Sequence, residues 1–393
     1  MNGERITARY HVATPMFCSG ADPSAAELRL ASFKGVLRWW WRALAWSRLG
    51  EDGARIRTAE DRLFGSADGG QSRVIMRIAH STARAVNGAD AISHWALGAR
   101  YLAFGAAVVP GKHDAKPARG ALAPFDFTLE LVLRARAPAL PADERALLDD
   151  ALRVGGLLGG LGAKSRKGYG SLALVELAID GAPIWRAPAS LDALAAEIAP
   201  LLRRAATAKQ LPPYTALSAH TRIVLVASPA ATSPIELLDR VGREIVRYRS
   251  WGRDGRVLGN VAREENFKDD HDLMKRPART RRSHPQRVGF GLPHPNGNGA
   301  DQRVRPGDHA IDRRASPLLL HVRSCGDSAV AVLSLIPAVF LPGAAPTIDV
   351  GAGQRVPLAS PEALRRPIDA LLDRFLAPGS RKEPFGRACE VRP

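Results

Sequence analysis

Cysteine is scarce in this chain of 393 residues: Cys18, Cys325 and Cys389 stand far apart, with no CxxC spacing. That excludes a disulfide framework and a cysteine-rich zinc site, and it fits a reducing compartment. Long hydrophobic runs are lacking too. The longest, Ala329 to Pro342, is too short for a span and carries Ser334 and Pro337, so neither a transmembrane helix nor a membrane partner is expected. The opening MNGERITARY is charged and has no apolar centre, so a signal peptide is not expected and a cytoplasmic location is. Acid is the scarce charge, with 39 Asp and Glu against 56 Lys and Arg, a formal net of +17. Hydrophobic residues at 46% exclude global disorder, and the length leaves room for roughly two or three domains. A basic chain of this composition points to acidic partners, with nucleic acid the leading class.

The positive charge is clustered. Between Leu28 and Gly50 stand Arg29, Lys34, Arg38, Arg42 and Arg48 without one acid. From Leu273 to Arg323 eleven basic residues face three acids, Asp301, Asp308 and Asp312. Same-sign clusters suit a polyanion track, because each neutralised phosphate releases counterion. A solvated face explains any one cluster equally well.

The first half alternates strands and helices. Glu4–Val12, Arg73–His80, Phe125–Arg136 and Gly170–Ile179 read as strands, with period two clearest in FDFTLELVLRAR. Ser32 reads as the N-cap of a helix over Phe33–Leu49, and Asp143–Gly156 reads as a second helix. The order β-α-β-β-α-β is the ferredoxin-like plan, with residues 81–124 as an insertion holding a helix at Ala91–Ala107. QLPPY, Gln210–Tyr214, reads as a linker. A further strand (His220–Ala227), a helix (Pro234–Ser250), a strand pair (Leu318–Arg323 and Ala329–Phe340) and a last helix (Ala363–Leu376) follow. This half fits a degraded second copy whose fourth strand the pattern does not locate. The expected class is α+β, two ferredoxin-like domains at 1–209 and 215–393, the second with a basic insertion at 251–315.

Three segments carry chemistry. In Ser32–Leu44, SFKGVLRWWWRAL, the residues Lys34, Arg38 and Arg42 recur every four positions and line one side of a helix. Gly35 lets another backbone approach, and a helix N-terminus with a nearby lysine is a ready anion site. Trp39, Trp40 and Trp41 are consecutive and cannot share a face, so at least one packs in the core and one is free to stack on a base. In Gly155–Leu172, seven glycines surround Lys164, Ser165, Arg166 and Lys167. Glycine frees backbone N–H groups and the cations add charge, which suits a loop lying on a sugar-phosphate chain. It fails as a P-loop, because Leu158 and Ala163 stand where glycines are required. In Lys275–Arg287, KRPARTRRSHPQR, six of thirteen residues are basic, a run that fits either an insertion ordering on RNA or a solvated loop.

An acid–base set cannot be assembled. HExxH and the nucleophile elbow are both missing. His11 and His80 lie in strand-like sequence and offer general bases. The acidic run from Glu264 to Asp272 offers metal ligands, but carboxylates beside arginines more often balance charge. No metal or cofactor is expected.

TPMFCSGADPSAAELRLASFKGVLRWWWRAL (Thr14–Leu44), GLGAKSRKGYGSL (Gly160–Leu172), FGLP (Phe290–Pro293) and RRASPLLLHV (Arg313–Val322) together resemble the RAMP superfamily, nearest to the first RAMP subunit of type III-B CRISPR effectors, the Cmr complex. The resemblance implies two ferredoxin-like domains and a place at the end of a ribonucleoprotein. Its partners there would be CRISPR guide RNA, single-stranded target RNA and other RAMP subunits, with target cleavage assigned to the backbone subunit. The second half lacks its own glycine-rich basic loop. The expectation is a non-catalytic RNA-binding subunit. Lys34, Arg38, Arg42, Lys164, Arg166 and Lys167 would bind phosphate beside Ser165, Tyr169 would stack, and Arg279, Arg281 and Arg282 would form an auxiliary track. A metal-independent endoribonuclease trimming guide precursors is the alternative. A scaffold that docks acidic proteins is the third reading.

Overall fold

A computed structural model describes residues 3–93, 97–106, 119–252, 256–257, 260–261, 264–295 and 303–392. Strand β1 (Gly3–Val12) has period two because one face meets the core. Ile6, Ala8, Tyr10 and Val12 are buried, while Arg5, Arg9 and His11 face outward. Helix α1 (Leu30–Arg48) starts before the expected cap. Arg29 occupies the N-cap position without a side-chain hydrogen bond, and Ser32 lies inside the first turn. An added helix α2 (Gly53–Phe64) is capped by Asp52, whose carboxylate accepts from the backbone N–H groups of Ala54 and Arg55.

Strands β2 (Val74–Ser81) and β3 (Phe125–Arg134), helix α3 (Ala142–Leu158) and strand β4 (Leu172–Ile179) complete the first β-α-β-β-α-β unit. Its antiparallel sheet runs β2-β3-β1-β4 and gains a hairpin strand, β5 (Ala182–Arg186). The insertion between β2 and β3 holds a hairpin, Ala85–Asn87 with Gly120–Leu122. The single helix expected at Ala91–Ala107 is described as two short ones, Asp90–Ser93 and Leu97–Leu102, with 94–96 and 107 outside the described residues. After β5, helix α4 (Leu191–Ala205) is capped by Ser190.

The second unit is weak in pattern and complete in topology. It runs β6 (Arg222–Ala227), α5 (Pro234–Tyr248), β7 (Leu318–Cys325), β8 (Ser328–Leu335), α6 (Pro361–Leu376) and β9 (Ala388–Val391), in sheet order β7-β8-β6-β9. The strand that the pattern does not locate is β9, only four residues long. β7 and β8 show no alternation because both faces of their sheet are covered. α5 and α6 pack on the sheet, and α3 and α4 of the first unit also contact its strands. One apolar core therefore runs through both units. The Gln210–Tyr214 stretch is packed rather than loose: Tyr214 stands edge-on to Trp46, and the Leu217 N–H donates to the Ala43 carbonyl at 2.9 Å. The described part of 251–315 carries a small core of its own, with Met274, Val288, Leu292 and Val304 packed beside Ile348 and Val356.

Candidate nucleic-acid interface

The glycine-rich loop leaves α3, crosses between the units and enters β4. Its glycines divide by task. Gly155, Gly156 and Gly159 serve close packing: a Cβ on Gly156 would stand 2.3 Å from the Leu174 Cβ, and one on Gly159 would meet the Trp40 indole nitrogen. The rest shape the loop. Thr14, Pro15 and Phe17 hold it from below: the Thr14 hydroxyl donates to the Gly168 carbonyl at 2.7 Å, and the N–H groups of Gly170 and Ala163 donate to the carbonyls of Pro15 and Phe17. The second unit holds it from above. The Lys167 backbone bridges in parallel to Leu320, and the Arg166 guanidinium donates to the Ser316 carbonyl at 2.8 Å. Next to this, Leu292 and Arg314 exchange backbone hydrogen bonds. All four motif segments, dispersed from Thr14 to Val322, thus meet around one loop.

Lys164 sits at φ +65°, a left-handed conformation costly for a side chain with a Cβ. It is pulled below the ordinary lysine range by burial and by the like charges of Arg119 and Arg313. Lys167 is pushed down to about 7 by burial, then by Arg249, Lys164 and Arg166. Arg166 is lowered by burial and by Arg314, and Lys34 by burial and by Arg38. Among the described residues, Lys34, Arg119, Lys164, Arg166, Lys167, Arg249, Arg313 and Arg314 have no carboxylate partner. Several hold aromatic rings instead: Arg166 lies over Trp39, Arg249 over Phe290 and Arg314 over Phe340. Cations pressed together without acid store repulsion that a polyanion relieves.

Arg38 and Arg42 differ. Both donate to one carboxylate oxygen of buried Glu60, on α2, at 2.7 Å. The two cations share this one carboxylate, so each is ion-paired within the fold rather than free. Tyr169 is fully buried, its hydroxyl donating to the Ala99 carbonyl at 2.8 Å, so it cannot stack on a base. Arg281 is buried as well, donating to the backbone carbonyls of Met274, Arg276 and Val350, and it staples the small core rather than facing RNA. Arg279 and Arg282 remain exposed. Two carboxylates of 264–272 are structural in the same way. Glu264 binds Arg374, and buried Asp270 accepts from the backbone N–H groups of Gln286 and Arg287. Among the described residues no group of three or more His, Cys, Asp and Glu can hold a metal ion.

Between α1 and the loop lies a cleft of about 330 Å³, lined by Ser32, Gly35, Trp39, Ser165 and Arg166 among others. It joins the two segments: the opening of α1 and the loop flank this furrow, with Arg166 in its lining and Lys34 outside it. Trp40 and Trp41 are core residues, whereas Trp39 is partly exposed to the cleft. Sequence reading missed Arg119 and Arg249. Nothing local marks them, since one precedes the Gly120–Leu122 strand of the insertion and the other is the C-cap of α5. The general base candidate His11 sits 2.8 Å from Asp126 across β1 and β3, on the outward face of the first sheet. His80 is exposed on β2. Among the described residues no helix is long and apolar enough to cross a membrane.

Residues 9–173 match the RAMP superfamily. A stretch of 64 residues is 44% identical to the CRISPR system Cmr subunit Cmr1-2 of Pyrococcus furiosus, covering 16% of this chain and 34% of that protein. A stretch of 40 residues is 48% identical to Cmr1-1 of the same organism, covering 10% of this chain and 12% of that one. The matched stretches thus span about a third and an eighth of those relatives. The crystal structure of apo Cmr1 from Pyrococcus furiosus superposes with a TM-score of 0.54 at 19% identity, over 99% of this chain and 98% of that one, a likeness of fold.

Proposed function

We propose that this chain, which carries a RAMP-superfamily match over its N-terminal residues 9–173, is a non-catalytic RNA-binding subunit of a type III-B CRISPR ribonucleoprotein, contacting guide RNA, target RNA or both at one end. The relatives it resembles are named as Cmr subunits. The observation that carries the RNA reading is the gathering of cations without carboxylate partners, from the insertion, the end of α5 and the Arg313–Arg314 pair, around the loop's own Lys164, Arg166 and Lys167. Phosphate contacts position a strand without reading its bases, so sequence preference is low and guide pairing supplies specificity. Lys34, Lys164, Arg166 and Lys167 are the proposed primary contacts. Arg279 and Arg282 are the auxiliary ones, and residues 1–209 and 215–393 are the proposed domains.

The test is the affinity of the full chain for single-stranded RNA across a salt series. Replacing Lys164, Arg166 and Lys167 by alanine shrinks the log–log slope by roughly two units. An unchanged slope removes the loop from the RNA path. A wild-type chain that binds a neighbouring subunit yet shows no salt-sensitive RNA affinity supports the scaffold reading. The endoribonuclease reading has one observation in its favour, the His11–Asp126 pair. Metal-free cleavage of repeat RNA that His11→Ala abolishes would establish it.

A further inference from the structure

A second cavity, of about 540 Å³, lies in the second unit between the end of β8 and the start of α6. It is larger than the cleft beside the loop, and its volume is ordinary for a binding pocket. Leu335, Ala338, Phe340, Leu341, Leu358 and Leu364 make its wall mainly apolar. Val339, on the same wall, keeps 37% of its surface exposed, so the apolar lining continues out to solvent.

Four lining residues can carry charge, and three of them are engaged. The His220 ring meets the Lys209 carbonyl at 3.0 Å, and Arg365 donates to Asp369 at 2.8 Å. Glu362 is held below the usual carboxylate range by its own backbone N–H and then by the Ser360 hydroxyl. Arg314 differs. It has no carboxylate partner among the described residues, and its Nε is buried without a hydrogen-bond partner. The Phe340 ring lies 5.6 Å from the guanidinium carbon, across its face. A carboxylate approaches a guanidinium edge-on, in the plane where the N–H groups point, so ring and carboxylate can share it. An apolar cavity with one desolvated, unpaired cation is complementary to an apolar body that carries an anion.

We propose that this cavity docks a segment of another subunit of the same particle, with its apolar side chains inside and one Asp or Glu on Arg314. The inference rests on the reading above of this chain as a subunit. The exposed Val339 favours a protein occupant over a free small acid, because apolar surface at the rim is covered only by a body larger than the cavity. Arg314 lies between loop and cavity, since its charge also presses on Arg166.

The experiment offers the full chain overlapping short peptides covering the other subunits of its own particle, and octanoate beside them. A peptide with an acid among apolar residues binds. Exchanging that acid for its amide weakens binding about tenfold or more, and Arg314→Gln in the chain does the same. The two changes together cost no more than either alone. Val339→Asp, at an exposed position and folded by circular dichroism, also loses the peptide. No binding by any peptide, or binding indifferent to the acid and to Arg314→Gln, overturns the docking site. Octanoate binding as tightly as the peptide overturns the protein occupant. Salt-sensitive RNA affinity is measured on the same wild-type chain. Retained while no peptide binds, it leaves the reading above standing without this site. Its absence removes that reading, and with it the particle that the inference assumes.

Discussion

Lys167 and Leu320, 153 positions apart by their numbers, pair backbone to backbone in parallel, and the Leu320 N–H donates to the Arg166 carbonyl at 3.1 Å. The loop of the first unit thereby covers the edge strand of the second sheet. An open edge would present unpaired N–H and carbonyl groups. In turn the sheet fixes the loop, so its cations stand at set positions and lose little freedom when a strand binds. A glycine-rich hairpin waving in solvent would pay that ordering cost on binding.

Arg38 and Arg42 are expected to matter for stability and not for RNA. Removing both leaves Glu60 buried without a partner. The Arg38→Ala/Arg42→Ala chain should lose about 2 kcal/mol in denaturant unfolding, reduced from the full cost of a buried charge because both arginines are about a third exposed. Its log–log salt slope for RNA should match wild type within about half a unit. A slope reduced by one unit or more would show that these arginines leave Glu60 for phosphate.

Lys167 should make the proposed RNA binding sensitive to pH. Its folded pKa, lowered to about 7, lies below that of the unfolded chain. The unfolded chain binds the extra proton from about pH 7 up to the ordinary lysine range, so this residue's contribution to stability rises with pH through that window. RNA acts in the opposite sense, because a phosphate favours the charged ammonium. At constant ionic strength the Kd should weaken by roughly three- to tenfold between pH 6 and pH 8.5, with proton uptake on binding at pH 8. Lys167→Arg, always charged, should flatten the profile. A flat profile in wild type would contradict the burial of this ammonium among like charges.

Gly170 tests whether the loop is seated as described. Its φ is +60°, and a Cβ there would lie 2.1 Å from the Leu161 carbonyl oxygen. Gly170→Ala should cost about 2–4 kcal/mol, the sum of a left-handed alanine and overpacking against backbone. Equilibrium unfolding measures it. A cost below about 0.5 kcal/mol would mean that the loop adopts another path.

Much of the fold was legible in local pattern. Period two in Glu4–Val12 and Phe125–Arg136 marked strands with one buried face, and consecutive tryptophans had to divide between core and surface. The second sheet was harder to read. Strands covered on both faces lose alternation, and β9 is too short to carry a pattern. Ser32 misled because a good capping residue is only a local preference; α1 begins earlier without a side-chain cap. Among the glycines, sequence could not separate Gly156, packed on Leu174, from those that shape the loop, because both look alike without a neighbour.

Charge divided the same way. Sequence alone determined that cations cluster on α1, on the loop and in 275–287, because composition and spacing along one chain are properties of the chain itself. Which of those cations stay available was decided by the tertiary structure. Glu60 arrives from α2 to pair with Arg38 and Arg42, backbone carbonyls enclose Arg281, and Arg166 meets Arg314 across the two units with no acid between them. Coulomb energy depends on distance through space and on burial, and neither can be read from separation along the chain.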